Sequence, residues 1–449
     1  MFKKFFTYQT FLVTFLFIII LMLFGALLRH HYLGGERAKS LQKIAVFFSE
    51  IPKNTKDMLE NRDFNLNKQK KLKKHKDKNR FEQFIENKRN ALLVLPRYDH
   101  SLGRSIVDII DLKNFKTIHT YKHDIKQMNS LVKNIQEFPS FSIDNSPIRF
   151  TYQNPLILED GSLMGIYIPA YKIDFCSNLQ WINDEELFNH SQMLDHEGNI
   201  WVRGIMKPVS KYIKKYSIKD FIDDSIIKIN TDGKILYNKS VTEILIENNI
   251  ISNNFPLNYA LNSPNEIDPI HLNDIEPTFN DTEHWKKGDI FLSARHLSAI
   301  IHFRPDTNKV INYITGPFAQ QHDVDIISEN EISIFNNNNF FVENQYSEII
   351  IYNFDTKKFR KLFNNQLQKE KFKTVTEGLS HIFNDGSLMV EEQDHGRIIL
   401  FNNQGKKEWE FVNKDQNGNI GFISWSRVIE NEKFVEKFKS LVKSKKCSN

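Results

Sequence analysis

The stretch "EIIIYNFDTKKFRKLF", Glu348 to Phe363, decides the fold of this chain. An apolar run leads into the polar turn Asp355-Thr356-Lys357, and a second run leads away from it. Short apolar or alternating runs joined by such a turn are typical of a β-hairpin. The stretch therefore predicts two antiparallel strands.

The same unit occurs at five other places along the chain. Its copies are Ser105–Tyr121, Ile166–Ile182, Ser225–Asn238, Ala299–Ile314 and Arg397–Val412. Another strand pair with its own turn, such as "HIFNDGSLMVEE", precedes most of them. Four strands repeated at intervals of roughly fifty residues are typical of a β-propeller, so six units predict an all-β fold with six blades.

The end of the chain predicts how the ring closes. After the sixth unit, "NIGFISWSRVI" (Asn419–Ile429) contains a lone strand, which we expect to pair with the first blade. The propeller then covers residues 91–430. Residues 431–449 carry "NEKFVEKFKSLVKSKK", whose apolar spacing predicts an amphipathic helix on the outside.

The N-terminus predicts a membrane anchor. Residues Phe11 to Leu28 carry no charge, and the run is long enough to cross a bilayer as a helix. It is too long for a typical signal peptide and no small-residue cleavage site follows it, so we expect an uncleaved single-pass anchor over residues 1–32. The lysines and arginines flanking the run do not favour an extracytoplasmic C-terminus.

Residues 33–90 predict a linker. Its first half, Glu36 to Glu60, has the spacing of an amphipathic helix. Its second half contains the basic run "NKQKKLKKHKDKNR", Asn67 to Arg80. Such a run is typical of a solvated tether, and contact with anionic lipid headgroups is the alternative.

Composition excludes few functions. Charged residues make up 26% and hydrophobic residues 40% of the chain, as in globular proteins. The net charge of +5 over 449 residues is a mild excess that does not indicate nucleic acid as a partner. Two cysteines, Cys176 and Cys447, do not form a disulfide framework and need not meet. The cellular compartment therefore cannot be read from the thiols.

Histidines recur where the chain is expected to start an inner strand. They are His196, His271, His322 and His381, and Asn154 stands at that place in the second unit. The symmetry of the blades would direct them into the central channel. Arg295 is expected to face inward at the end of a strand, with the neighbouring His296 on the other side. A histidine in such a place can also serve only to bind backbone groups.

Imidazoles beside a guanidinium indicate three kinds of chemistry. A neutral imidazole is a nucleophile and a general base near neutral pH. Imidazoles and a guanidinium together bind oxyanions such as sulfate or phosphate. Three or four imidazoles can also hold a metal ion, but an arginine is an unfavourable neighbour for a cation. We therefore rank an oxyanion above a metal.

Residues 195–430 resemble the bacterial arylsulfate sulfotransferases. The resemblance rests on "HLND" (His271–Asp274), "GDIFLSARHLSAI" (Gly288–Ile300), "GPFAQQHDVDII" (Gly316–Ile327) and "SWSRV" (Ser424–Val428). Members of that family are six-bladed propellers that move a sulfuryl group between phenols through a sulfohistidine. Their N-terminal β-sandwich, which helps them dimerise, is replaced here by the anchor and the linker, so the oligomeric state is not carried over.

The resemblance implies roles for individual residues. His322 matches the nucleophile, His271 and Asn273 match residues that hold the sulfuryl oxygens, and Arg295 matches an arginine of the same site. His196 matches a further channel histidine that would activate the acceptor. Two more residues, Asp323 and His381, are candidates for substrate binding, although His381 has no clear counterpart in the family.

We therefore expect sulfuryl transfer from an aryl sulfate to a phenolic or other hydroxyl acceptor, without metal or cofactor. The resemblance also implies a propeller outside the cytoplasm, on the periplasmic side. Two alternatives stay open: a non-catalytic, membrane-tethered binding module, and a propeller enzyme with a histidine-ligated metal. The donor and the acceptor are not defined by the sequence.

Overall fold

The computed structural model describes residues 8–32, 37–49, 51–52, 72–133, 145–167, 169–218, 221–262, 267–338 and 345–447. Six antiparallel sheets form a six-bladed β-propeller, which confirms the predicted fold class. The first strand, β1 (Phe81–Gln83), belongs to the last blade. Blade 1 contains β2 (Leu92–Asp99), β3 (Arg104–Asp111), β4 (Lys116–Tyr121) and β25 (Arg427–Ile429).

Each of the other five blades contains four strands that are consecutive in the chain. Blade 2 contains β5 (Gln153–Ile157), β6 (Leu163–Ile166), β7 (Ala170–Ile173) and β8 (Leu179–Asn183). Blade 3 contains β9 (Leu187–Leu194), β10 (Ile200–Ile205), β11 (Asp224–Ile229) and β12 (Ile235–Ser240). Blade 4 contains β13 (Leu272–Pro277), β14 (Ile290–Ala294), β15 (Ala299–Arg304) and β16 (Lys309–Thr315).

Blade 5 contains β17 (Val324–Ile326), β18 (Glu331–Asn336), β19 (Glu348–Asn353) and β20 (Lys358–Leu362). Blade 6 contains β21 (Ser380–Ile382), β22 (Leu388–Glu392), β23 (Arg397–Phe401) and β24 (Lys407–Val412), with β1 outside them. The six repeated sequence units are the third and fourth strands of each blade, counted outward from the channel, as β19 and β20 are for the unit that starts at Glu348.

The core lies between neighbouring blades. Ile226 of blade 3 packs in one apolar cluster with Leu292 and Ile301 of blade 4. On the other face of blade 4, Phe291 belongs to a cluster with Ile334 of blade 5. Because both faces of a blade are buried in this way, the free inner edges of the sheets converge on a central channel.

The ring is closed from both ends of the chain. β25 pairs with β2, with Leu92 opposite Ile429, which confirms the predicted closure by the C-terminal strand. β1 pairs with β24, with Phe81 opposite Phe411, and this second closure was not predicted. The propeller sheets therefore begin within the segment that the sequence analysis gave to the linker.

The basic run binds blade 6 where the structure describes it. His75 Nε2 lies 2.8 Å from Glu392 Oε2, and Lys78 Nζ lies 2.9 Å from Glu410 Oε2. Lys74 also bonds Glu392. The expectation of a solvated tether is therefore wrong for residues 72–80, because buried carboxylates of blade 6 attract Lys74 and Lys78 and bond the ring of His75. Residues 67–71 lie outside the described part of the chain.

The C-terminal helix, Glu432–Ser444, is amphipathic as expected. It buries Val435 and Phe438 in a cluster that includes Tyr121 and Phe175 of the first two blades. A disulfide joins Cys176 to Cys447 just beyond the helix, a pairing that the sequence left open. Short helices also occur between the strands, at Ile125–Leu131, Lys211–Lys214, Val241–Glu247, Phe255–Asn262 and Asn364–Lys369.

The N-terminal helix spans Tyr8–Tyr32. Within it, Thr10–His31 is long and apolar enough to cross a membrane, as an anchor or as a signal sequence. A second helix at residues 39–49 lies within the predicted amphipathic segment, whose end at residues 53–60 is outside the described part.

Candidate functional site

One non-glycine residue in each blade has a left-handed backbone at or just ahead of the inner strand. These residues are Asn154 (φ 41°), His190 (φ 66°), His271 (φ 50°), Gln320 (φ 53°), Glu377 (φ 58°) and Trp425 (φ 53°). Non-glycine residues rarely adopt this conformation, and it is often found at functional sites. The same backbone turn is thus repeated six times at one end of the channel, where it positions the surrounding side chains.

His322 lies in this ring, between Gln320 and the start of β17, and its side chain is buried. Its Nδ1 lies 2.6 Å from Asn337 Oδ1, and the backbone N–H of Glu377 donates to its Nε2 over 2.9 Å. Asn337 in turn donates its amide hydrogens to the carbonyl oxygens of Thr374 and Glu377. The orientation of that amide leaves its oxygen facing the ring, so Nδ1 carries the proton and Nε2 carries the lone pair.

His271 is oriented by a carboxylate that the sequence analysis missed. Its Nδ1 bonds Asp268 Oδ2, and its backbone N–H donates to the other oxygen of the same carboxylate over 3.1 Å. This arrangement leaves Nε2 of His271 to accept or give a proton. A carboxylate behind an imidazole is the usual support of a general base. The spacing Asp-x-x-His was visible in "DPIHLND", but nothing in the repeat pattern marked it.

Arg295 lies in the turn after β14, beside His271. Its backbone N–H donates to the His271 carbonyl, and its guanidinium contacts Gln320 Oε1 at 3.2 Å and His296 Nε2 at 2.9 Å. The expectation that His296 points away is wrong, because residues 295–298 form a turn in which strand alternation does not apply. The His296 ring lies 4.6 Å from the His271 ring.

His190 is the second residue that the sequence analysis missed. Its ring centre lies 5.4 Å from that of His271 and 6.4 Å from that of Trp425. Its Nδ1 has no hydrogen-bond partner among the described residues. The pairing of β9 with β10 shifts register at this point, which places His190 in a bulge and turns it toward the other histidines.

His196 does not join the cluster. It lies in the hairpin turn between β9 and β10, beyond the end of β9, whereas His271 lies ahead of β13. Inner strands run in the same direction in every blade, so His196 is at the opposite end of the channel. Its placement at the start of an inner strand was wrong, because "DHEGN" is turn chemistry like "EDGS" and "NDGS".

The remaining candidates take different places. Asn273 is buried beside the cluster, where its amide donates to the Gln321 carbonyl over 3.0 Å and its Oδ1 has no partner among the described residues. Asp323 accepts a hydrogen bond from the Ser380 backbone over 3.1 Å. His381 is inside β21, and its Nε2 lies 3.1 Å from Glu430. Both Asp323 and His381 line a channel cavity, described below.

Desolvation lowers the pKa of three imidazoles in the cluster, of which His322 is buried, His190 is half-buried and His296 is exposed. Burial lowers the pKa of His322 to about 3, and the nearby Arg295 and His271 lower it further while the bond to Asn337 opposes them. Burial and the charge of Arg203 lower the pKa of His190 well below its usual value. Desolvation also lowers the pKa of His296. A neutral imidazole keeps the lone pair that nucleophilic attack requires.

The site also contains a group of potential metal ligands. Asp268, His271 and His296 each offer one ligand atom, and these atoms lie within 4.8 Å of one another. However, the guanidinium of Arg295 is hydrogen-bonded to Nε2 of His296, and its positive charge disfavours a second cation at this place. The cluster is therefore better suited to an anion such as a sulfate ester.

The model of one protein family matches the chain. It is described as arylsulfotransferase (ASST) and matches residues 165–414, more than half of the chain, including all of the histidine cluster. A search of curated proteins found no match.

Solved structures resemble the chain only distantly. A protein of unknown function from Bacteroides caccae is 11% identical, with a TM-score of 0.48 over 76% of this chain and 100% of its own. TolB from Acinetobacter baumannii is 8% identical, with a TM-score of 0.45 over 77% of this chain and 68% of its own. Virginiamycin B lyase from Staphylococcus aureus is 13% identical, with a TM-score of 0.34 over 60% of this chain and 72% of its own. At such low similarity these structures carry no functional argument.

Proposed function

Since the chain belongs to the arylsulfotransferase family, we propose that it transfers a sulfuryl group from an aryl sulfate to a phenolic or other hydroxyl acceptor, with His322 as the nucleophile. Family membership supports arylsulfate sulfotransferase activity in general. The observation that carries the specific assignment is the fixed tautomer of His322, whose Nε2 lone pair lies in the same cluster as Arg295 and His271.

In the first step, Nε2 of His322 forms a bond to sulfur while the bond between sulfur and the phenolic oxygen breaks. The electron pair of the broken bond leaves with that oxygen. The positive charge that develops on the ring is stabilised through the Nδ1–H bond to Asn337. The N–H of Glu377, which occupies Nε2 in this structure, has to give way before attack.

His271 supplies the proton chemistry. Its protonated Nε2 gives a proton to the leaving phenolate, and it takes a proton from the acceptor hydroxyl in the second step. The acceptor oxygen then attacks sulfur, the bond to Nε2 of His322 breaks, and the enzyme returns to its starting state. Asp268 holds the imidazole of His271 in the orientation that both transfers need.

Arg295 stabilises the charge on the sulfuryl oxygens. Its Nε has no hydrogen-bond partner among the described residues. Burial lowers the pKa of its guanidinium, but arginine stays protonated in proteins. Asn273, whose amide donates to the Gln321 carbonyl, and His190 are further polar groups of the cluster. A preorganised donor such as Arg295 usually makes the largest single contribution to rate.

We place the propeller outside the cytoplasm, held by the N-terminal helix as an uncleaved anchor. The disulfide between Cys176 and Cys447 supports this location, because disulfides persist in oxidising compartments. The charges that flank the apolar run do not favour this orientation. A reporter fused after Asn449 tests it: activity restricted to the cytoplasm would reverse the assignment.

A direct test of the reaction uses the full-length protein in detergent with 4-nitrophenyl sulfate and a phenol. Release of 4-nitrophenol that depends on the phenol is the expected result. Elemental analysis of the same sample separates the alternatives. No turnover together with a stoichiometric bound metal would favour a metal-dependent enzyme, and no turnover without a metal would favour a binding module.

A further inference from the structure

A second polar site lies in the channel, on the far side of Trp425 from the histidines. A cavity of about 350 Å³ occupies this part of the channel. Five of the side chains that line it are carboxylates. Glu430 is paired with His381, and the other four are Asp274 and Glu276 on β13, Asp323 just before β17 and Asp325 within it. The cavity therefore gathers four acids from two neighbouring inner strands.

Among the residues that the structure describes, no lysine, arginine or histidine nitrogen forms an ion pair with any of these four carboxylates, although the buried charge of Arg427 acts on all of them. Arg427 also lines the cavity, but its guanidinium bonds Asn154, the Gln192 carbonyl and the sulfur of Met193. His381, the other nearby base, bonds Glu430. Several other buried acids of the chain form an ion pair, as Asp224 does with Arg203.

Four buried acids in one cavity are energetically unfavourable, although Asp274 and Asp323 each accept a backbone hydrogen bond. An ionised carboxylate that no cation neutralises costs several kcal/mol in a protein interior. Burial raises the pKa of Asp325 to about 6, with repulsion from Asp274 as the next cause. Burial and the neighbouring acids likewise raise the pKa of Asp323 and of Glu276 well above the usual value. A positive charge inside the cavity would relieve this repulsion.

Unpartnered polar groups on the wall of the cavity also indicate a ligand. Ser380 and Trp425 are each 4% exposed, and both line the cavity. Neither the Ser380 hydroxyl nor the Trp425 indole N–H has a hydrogen-bond partner within the described part of the chain. Buried hydroxyl and indole groups normally form hydrogen bonds. A ligand in the cavity, or a water bound to it, would supply the partners that these two groups lack.

We propose that this acidic chamber binds a cation. Its donors are carboxylate and hydroxyl oxygens, the ligands that a hard divalent ion such as Ca²⁺ prefers, and its volume leaves room for retained waters. The ammonium groups of a small diamine offer the same chemistry in the same space. Either ligand would link β13 of blade 4 to β17 of blade 5. Asn273 lies on β13, and His322 lies shortly before β17.

The test measures binding to the full-length protein after treatment with EDTA, by titration calorimetry and thermal unfolding. CaCl₂, MgCl₂ and 1,4-diaminobutane are added separately. We expect at least one of them to bind and to raise the melting temperature, because a ligand of the folded state stabilises it. Binding of the metal alone identifies an ion site, and binding of the diamine alone identifies an organic cation site.

Substitutions locate the binding. Asp325→Asn removes one charge with little change in volume and should weaken binding by about tenfold or more, since even outer partners of a metal site contribute about that much. Asp306→Asn removes a charge from an exposed turn and should leave the affinity unchanged. If Asp325→Asn does not fold, Ser380→Ala provides the weaker test on the same wall. The proposal is overturned if none of the three probes binds, or if binding is unaffected by the chamber substitutions.

Discussion

The backbone N–H of Glu377 lies 2.9 Å from Nε2 of His322 and donates a hydrogen bond to it. The nitrogen that we expect to attack sulfur is thus covered by a residue of the next blade. Glu377 itself has a left-handed backbone, with φ of 58°. This hydrogen bond fixes the tautomer of His322 that nucleophilic attack requires. It also covers Nε2, so the loop before β21 has to shift when the aryl sulfate binds.

The role of His322 is tested by replacing it with asparagine. His322→Asn keeps a polar side chain of similar size but has no nucleophilic nitrogen, so turnover should be abolished in a folded protein. Wild type incubated with donor alone should carry one sulfuryl group on the peptide that contains "QQHDVDII", detected by mass spectrometry. Near-normal turnover of folded His322→Asn would eliminate the sulfohistidine route.

His190 and His196 form a matched pair, because both are histidines of blade 3. His190→Asn should lower kcat/KM by about 10- to 1000-fold, since it replaces an imidazole of the histidine cluster with a shorter amide that does not reach the same position. His196→Asn changes only a hairpin turn and should retain nearly full activity. Steady-state kinetics on both variants show which of the two histidines belongs to the active cluster. A larger loss of activity in His196→Asn than in His190→Asn would return His196 to that cluster.

The fold was predictable because hairpin turns and strand alternation are local and repeat six times. The site was less predictable, because it depends on how the first strand of each blade meets the channel. His322, His271 and Arg295 were predicted to face the channel from the blade repeat, received their roles from the family resemblance, and lie together in the structure. His196 was misplaced because, in the sequence alone, a hairpin turn that contains a histidine resembles the start of a strand. Asp268 and His190 depend on a loop contact and a bulge, which single-sequence patterns do not mark.

Arg295→Ala should reduce the rate by about 10²–10³-fold, the usual loss for one donor to a developing oxyanion. Arg295→Lys keeps the charge but loses the planar fork, so it should recover part of the rate. Arg360→Ala, which removes an exposed arginine paired with Glu331, serves as the control and should behave as wild type. Equal activity of Arg295→Ala and wild type would place the guanidinium outside the reaction.

Stability should depend on pH through His322. Its pKa is lowered from an ordinary 6.5 to about 3 in the folded protein, mainly by burial. Between pH 6.5 and about pH 3 the unfolded chain binds a proton at His322 that the folded chain does not bind. The contribution of His322 to the free energy of unfolding is therefore fully present above pH 6.5 and is lost as the pH falls toward 3. Denaturant unfolding of wild type should show this loss, on the order of a few kcal/mol, and His322→Asn should show a shallower slope. Identical slopes would mean that His322 is not buried in its neutral form.

Two truncations test which part of the C-terminus closes the ring. A chain ending at Val412 lacks β25, which leaves the inner edge of β2 unpaired in blade 1, so it should not fold. A chain ending at Asn431 keeps β25 and loses only the terminal helix, with the buried side chains of Val435 and Phe438, and the disulfide. It should fold with reduced stability, by about 2–5 kcal/mol for each large apolar side chain that is removed from the core. Circular dichroism and thermal unfolding distinguish the two fragments. A cooperative transition in the Val412 fragment would show that pairing of β1 with β24 is enough to hold the ring, and that β25 is dispensable.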